Sequence, residues 1–191
     1  MRKFLALLSV VLLCGCRSLE SQSGKTPSAS STNAANANLP VRDNAVALLN
    51  DLLGDEKNVS KILLIKHHSD DLGKLIKEIS ATTANGAKML EDFTKGSAVD
   101  VKRLDLPPGE AAARSAISKA KKHLLLSSKD AEFEFQLLLT QVEALNYGAN
   151  LALIAAESET DPARARDFLR LSAELRDLHE RVVAMLRERK Q

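Results

Sequence analysis

Between Ile62 and Phe93 ten residues follow one another at alternating steps of three and four: Ile62, Ile65, Ser69, Leu72, Ile76, Ile79, Thr83, Gly86, Leu90 and Phe93. A half-buried strand would place its inward residues at steps of two. Steps of three and four sustained over several heptads commit the segment to a long helix with one face turned to neighbours. No alternating run of strand type occurs elsewhere in the chain. A helix with one apolar stripe needs other helices to cover it, so the expected fold is all-α.

The remaining segments supply those partners. Val41–Leu53 reads as a short amphipathic helix through Val46, Leu49, Leu52 and Leu53, stopped by Gly54. The long helix is expected from about Asn58 to Gly96, its small centre at Ala81–Ala87 letting a neighbour come close. A loop over 97–109 ends in Leu106-Pro107-Pro108-Gly109. A third helix, Glu110–Ser127, carries Ala113, Ala116, Ile117, Ala120 and Leu124 on one face. The fourth, over 131–157, is apolar nearly all round and should lie at the centre. Asp161-Pro162 then provides an N-cap and a proline for the first turn of a helix reaching about Arg189, with Phe168, Leu171, Leu175, Leu178, Val182 and Met185 inward. The expected architecture is an up-and-down four-helix bundle with a short extra N-terminal helix.

The start of the chain speaks to location. Arg2 and Lys3 precede an apolar run, Phe4 to Leu13, that is too short to span a bilayer. Leu13-Cys14-Gly15-Cys16 resembles a bacterial lipobox, which implies cleavage before Cys16 and its acylation. Two or three acyl chains anchor a protein stably where one does not. Residues 1–15 are thus expected to be a lipoprotein signal peptide. Residues 16–40, rich in Ser, Asn, Ala and Thr, form the lipidated cysteine and a disordered tether. The 24 residues from 17 to 40 would span about 25–30 Å as a flexible coil. Residues 41–191 form the helical domain. The expected location is the bacterial cell envelope, on the outer membrane facing the periplasm, with membrane lipid engaged through Cys16.

Loss of the leader removes two basic residues and leaves 25 basic against 25 acidic side chains. This balance excludes a nucleic-acid binder, which needs a basic excess. Cys14 leaves with the leader and Cys16 carries lipid, so the core must hold without disulfides. Aromatic residues make up 3% of the chain with no Trp, too few for stacking platforms.

No catalytic constellation is present: neither Cys-x-x-Cys, His-Glu-x-x-His nor a glycine-rich phosphate loop occurs. A helical bundle invites a di-metal site, which needs Glu-x-x-His so that both ligands share one inward face. The residues three before His67, His68, His123 and His179 are Leu64, Ile65, Ala120 and Arg176, so the motif is missing. His67 and His68 near Asp70 and Asp71 offer at most a weak divalent site, and a solvated face is the simpler reading. His179 borders the apolar stripe of the last helix and reads as a half-buried structural histidine. Lys119, Lys121 and Lys122 form a small basic patch that could touch anionic lipid, with a solvated face again the default. The sequence therefore gives no metal site, no cofactor and no enzyme.

Two features of the fourth helix bear on packing and partners. Ala144, Gly148, Ala152 and Ala156 recur every four residues, a smooth ridge for a close helix contact. Gln136, Thr140, Glu143, Tyr147 and Asn150 line a narrow polar strip on another side. This strip reads as a solvent edge, as an internal polar network, or as a docking strip centred on Glu143, Tyr147 and Asn150. The apolar arc is wider than two flanking helices would cover, which leaves room for an envelope protein partner or for self-association.

Residues 71–186 resemble the ferritin-like helical domain of unknown function found in predicted bacterial outer-membrane proteins. The likeness lies in Met89-Leu90-Glu91-Asp92-Phe93, Leu106-Pro107, Phe133-Glu134 and His179. It implies a ferritin-like bundle in the envelope. Phe93 and Leu145 stand where that family carries histidines, so metal chemistry does not follow from it. The functional expectation is a lipid-anchored, non-enzymatic binding or scaffolding module. The alternative is a divergent ferritin-like metal-binding or redox protein.

Overall fold

The computed structural model describes residues 31–95 and 106–189, and every element among them is helical. The elements are α1 (Ser31–Glu56), a 3-10 turn (Val59–Leu64), α2 (Asp70–Lys95), α3 (Pro108–Ser127), α4 (Asp130–Glu157) and α5 (Pro162–Glu188). The leader, Cys16 and most of the expected tether lie outside the described residues. Helix α1 already begins at Ser31, inside the stretch expected as tether, and runs through Pro40. Alanine-rich sequence favours that extension, although proline cannot donate the backbone bond that its position in a helix calls for.

The all-α class holds. Helix α1 packs on α2 and α4, α4 packs on α5, and α5 packs on α2, so four helices close a ring around one core. The core is filled by Val46, Leu49, Leu53, Leu72, Ile76, Ile79, Leu90, Phe133, Leu137, Leu138, Leu145, Phe168, Leu175 and Val182, all nearly inaccessible. As expected, α4 is the central helix, meeting α1, α3 and α5. The expected roles of two helices are exchanged, however. The leading helix is a full member of the ring, while α3 contributes no buried residue and lies against α4.

The reason for that exchange is chemical. The face expected to turn inward on α3 is mostly alanine and buries little area, and its two large members, Ile117 and Leu124, are exposed. The residues that turn in are instead Arg114, Lys121 and Leu125, about a quarter-turn away, opposite the polar strip of α4. Leu48, Leu49 and Leu53 of α1 offer the core more apolar volume than α3 can.

The long helix expected from Asn58 is also corrected. Its first part is the 3-10 turn, the chain leaves helical geometry at Ile65, and α2 starts only at Asp70. Leu64 and Ile65 are 85% and 68% exposed, so the inward seam begins at Leu72. The break ends just before α2, at Ser69. Its carbonyl accepts the first α2 bond from Gly73 N–H at 3.0 Å, while its own N–H is drawn off to the carboxylate of Glu134. Asp70 and Asp71 then sit in the first turn, where the helix dipole favours acids. From Leu72 to Leu90 the seam is buried as its spacing predicts.

Two glycines let the ring close. A Cβ on Gly86 would lie 3.0 Å from Leu171 Cδ1 and 3.0 Å from Leu53 Cδ1. One on Gly148 would meet Leu52 Cδ2 at 3.0 Å and Leu175 Cδ1 at 3.2 Å. The small centre of α2 and the small ridge of α4 are thus places of close approach. Next to the ridge Ser172 Oγ donates to Ala149 O at 2.8 Å, tying α5 to α4.

Candidate functional site

The polar strip of α4 is largely taken up by the protein's own third helix. Glu143 is ion-paired with Lys121. Tyr147 Oη accepts from Arg114 Nη2 at 2.9 Å, and the guanidinium carbon lies 5.4 Å from the centre of the tyrosine ring. Glu110 holds the same arginine from the other side through Nε at 2.7 Å. Asn150 remains exposed and bonds back to Asn146 O at 2.8 Å. Gln136 and Thr140 likewise satisfy themselves within α4, on Glu132 Oε1 at 2.6 Å and Leu137 O at 2.7 Å. The strip is therefore neither a bare solvent edge nor a closed internal network. Its centre is an attachment line for α3, and α3 covers part of the wide apolar arc.

Beside this line one buried polar group is incompletely satisfied. Gln141 Nε2 donates to Glu56 Oε2 at 3.0 Å, while Gln141 Oε1 is buried without a hydrogen-bond partner. Burial pushes the Glu56 carboxyl above its usual range, and the Gln141 amide only partly opposes this.

The histidines are dispersed. His67 is exposed, and His68 Nδ1 lies 2.9 Å from Lys66 O with its Nε2 edge against Gly73. His179 is half-buried on α5. Among the described residues no three His, Cys, Asp or Glu side chains come together as a metal would require. Phe93 and Leu145, where the resembling family has histidines, are hydrophobic neighbours of the core and a core residue respectively.

A more concave place lies between the second half of α2 and the start of α5. A groove of about 580 Å³ is lined by Asn85, Lys88, Met89, Asp92, Phe93, Arg164, Asp167 and Phe168. Its floor is apolar: the Phe93 and Phe168 rings meet edge to face, centroids 5.5 Å apart. Volume and lining fall in the range of small-ligand clefts. The two acids on its rim have partners of their own, Asp92 with Lys95 at 2.9 Å and Asp167 with Arg170 at 2.8 Å. Lys88 and Arg164 are the cations at the groove.

Arg164 is fixed by the connection from α4 to α5. The Glu159 side chain is wholly buried there and accepts from Thr160 N at 2.8 Å, Asp161 N at 2.9 Å and Arg164 Nη2 at 3.1 Å. Arg42 of α1 stands on its other side, Nη1 to Oε2 at 3.5 Å. Burial alone would raise the Glu159 carboxyl, but these amides and guanidiniums outweigh it and hold it below the ordinary glutamate range. Asp161 caps α5 as its sequence predicts, accepting from Ala163 N at 2.8 Å and Arg164 N at 3.2 Å. Arg42 and Arg164 both stack on Phe93, at 5.9 and 5.2 Å from its centroid. Arg164 Nε is buried without a hydrogen-bond partner, with Asp161 Oδ2 4.0 Å away.

Sequence reasoning missed this groove because its walls are set 75 residues apart, Phe93 from Phe168, and both read simply as core positions. The available signal was Met89 and Phe93 one turn apart, with Lys88 and Asp92 beside them, directly after the small stretch Ala81–Ala87. No protein-family model matches the chain, and no curated protein or solved structure matches it. Among the described residues no helix is long and apolar enough to cross a membrane.

Proposed function

We propose that this protein is a lipid-anchored module of the bacterial envelope, held to the outer membrane through Cys16, that binds a partner protein and performs no catalysis. The observation that carries the binding part is the groove of Met89, Phe93 and Phe168 with Lys88 and Arg164 beside it. Its apolar floor suits an inserted aliphatic or aromatic side chain. Its exposed cation, Lys88, suits a neighbouring carboxylate, since the nearest rim acids, Asp92 and Asp167, make their close ion pairs with Lys95 and Arg170 within their own helices. The partner is therefore a protein presenting an apolar anchor next to an acidic residue. The Glu143–Tyr147 strip is engaged by α3, so the partner is assigned to the groove. The anchor rests on the Leu13–Cys16 pattern.

Two experiments test the reading. A photo-crosslinking residue in place of Lys88 should trap one partner in intact membranes, whereas the same residue at Lys74, exposed on the far end of α2, should not. No adduct at position 88, or the same adducts at both, overturns the binding role. For the anchor, Cys16→Ser should abolish incorporation of labelled fatty acid. Continued labelling removes that part of the proposal alone.

A further inference from the structure

Helix α3 is attached to the ring by a different chemistry from the other helices. None of its 20 residues is buried, and only Arg114, Lys121 and Leu125 are half-buried. Two of these three are cations on polar partners. Lys121 is ion-paired with Glu143 and also attracts Glu56 of α1, while Arg114 donates to Tyr147. The charges of the two helices agree with this: α3 carries Arg114, Lys119, Lys121 and Lys122 against Glu110, and α4 has five acids and no base. Of those acids Glu134 is held by Arg189, and Glu143 is the one that meets α3. The burial that fixes every other helix is nearly missing here, and polar contacts open to water are weak and screened by salt.

The two ends of α3 are not held alike. At the C-terminal end Leu125 packs against the core and Ser128 is buried. There Lys66 Nζ donates to Leu126 O at 2.6 Å and Ser128 O at 2.7 Å, over the ring of Phe133. The chain then runs extended through Ser128 and Lys129 and turns at Asp130, whose φ is 46°. A left-handed aspartate after two extended residues makes a corner, not a continuation of the helix. Residues 110–122 have no such anchor. Among the described residues, their polar contacts with other helices are those with Glu143 and Tyr147 and the attraction of Glu56. The other end of α3 is joined to α2 by residues 96–107, a length that reaches about 40 Å when extended and so permits movement.

We infer that α3 is a strap over α4 that opens about its C-terminal end while the four-helix ring stays folded, and that rising ionic strength favours the open form. Closed, the strap occupies Glu143 and Tyr147. Open, it releases both, so the polar strip of α4 becomes a surface presented only under some conditions. Once off α4, a helix of this length is marginal in water, and opening therefore also loosens its own backbone bonds. The ring closes without it, through α1, α2, α4 and α5. The inference depends neither on the groove nor on acylation of Cys16.

Amide exchange read by mass spectrometry on the purified full chain, in a neutral detergent, tests this. Tyr147 is a second probe, being the single tyrosine of a chain without Trp. Amides of residues 110–122 should exchange together, about a hundredfold or more faster than core amides of α4 and α5, which wait for a larger opening. Raising NaCl from about 0.05 to about 0.5 M shortens the screening length to roughly a third. This should speed exchange in α3 about two- to fivefold, leave α4 and α5 unchanged, and increase acrylamide quenching of Tyr147 fluorescence. Lys121→Glu sets two acids against each other and should speed α3 about tenfold while removing the acceleration by salt. Lys121→Glu combined with Glu143→Lys should restore most of the protection. Three results overturn the inference. Amides of α3 exchanging in step with α4 at every salt concentration would make it a fixed wall. Exchange that fades inward from Pro108 and ignores Lys121→Glu would be end fraying alone. Amides of α3 without any protection at low salt would mean that no closed form exists.

Discussion

Gly148→Leu tests how the ring of helices is closed. The position lies on the small ridge of α4, and a Cβ there would stand 3.0 Å from Leu52 Cδ2, 3.2 Å from Leu175 Cδ1 and 4.0 Å from Leu49 Cδ1. Alanine alone therefore asks two methyl groups to give by a few tenths of an ångström, and Leu52 is only half-buried and can move. Replacing glycine inside a helix gains about 0.5–1 kcal/mol, so Gly148→Ala should come out near neutral. Leucine sends three further carbons into the same gap between two buried leucines. Overpacking of this kind costs about 1–3 kcal/mol, at the high end where several atoms have no space, and the propensity gain offsets only part of it. A net loss near 2 kcal/mol in a domain of this size lowers the melting temperature by roughly 4–8 °C. Thermal circular dichroism at the helix band reads this directly. A leucine variant melting with the wild type would show that α1 and α5 do not pack on this ridge. An alanine variant as unstable as the leucine one would show that the methyl tips cannot yield.

The other predictions follow from particular contacts. Glu143→Ala and Tyr147→Ala should leave the ring folded, because an exposed ion pair is worth about 0.2–1 kcal/mol and a stacked guanidinium about as much. What should change is amide exchange across α3, faster by severalfold. A large fall in melting temperature for Glu143→Ala, whose ion-pair partner is Lys121 of α3, would show α3 to be part of the core. Glu159→Gln should destabilise by about 1–3 kcal/mol at neutral pH, since Arg42 and Arg164 lose a buried charged acceptor. Its wild-type carboxyl is held below the usual range, so its contribution is present above that range and fades as acid is added through the lowered value. The melting-temperature gap between wild type and Glu159→Gln should accordingly narrow in acid, and a constant gap would contradict the assignment. Glu56 runs the other way. Its carboxyl is raised by burial, so the cost of ionising it appears as pH climbs past the ordinary value of 4.5. Glu56→Gln should then stabilise at pH 7, on the order of 1 kcal/mol, with Gln141 Oε1 gaining a donor. Equal or lower stability in a denaturant titration would count against it.

Much of the fold was legible before any coordinates. The three-and-four spacing from Leu72 to Leu90, the apolar girth of α4 and the Asp161-Pro162 start of α5 are local properties. Helix geometry turns them into burial and caps wherever the helix ends up. The break at Ser69 was legible too in principle, as a serine followed by two aspartates. The apolar rhythm running through Ile62 and Ile65 concealed it, since periodicity records which side chains could share a face and not whether the backbone stays helical between them. Which helices form the ring is a different matter. Val41–Leu53 and Glu110–Ser127 both look like amphipathic partners, and the choice rests on competition for one core, won by the leucines of α1 over the alanines of α3. That comparison exists only when all helices are present together. The same holds for the groove, where Phe93 and Phe168 become one wall. Local sequence sets what each helix can bury. Tertiary packing decides which of those surfaces is covered, because burial is a property of pairs and neither partner carries it alone.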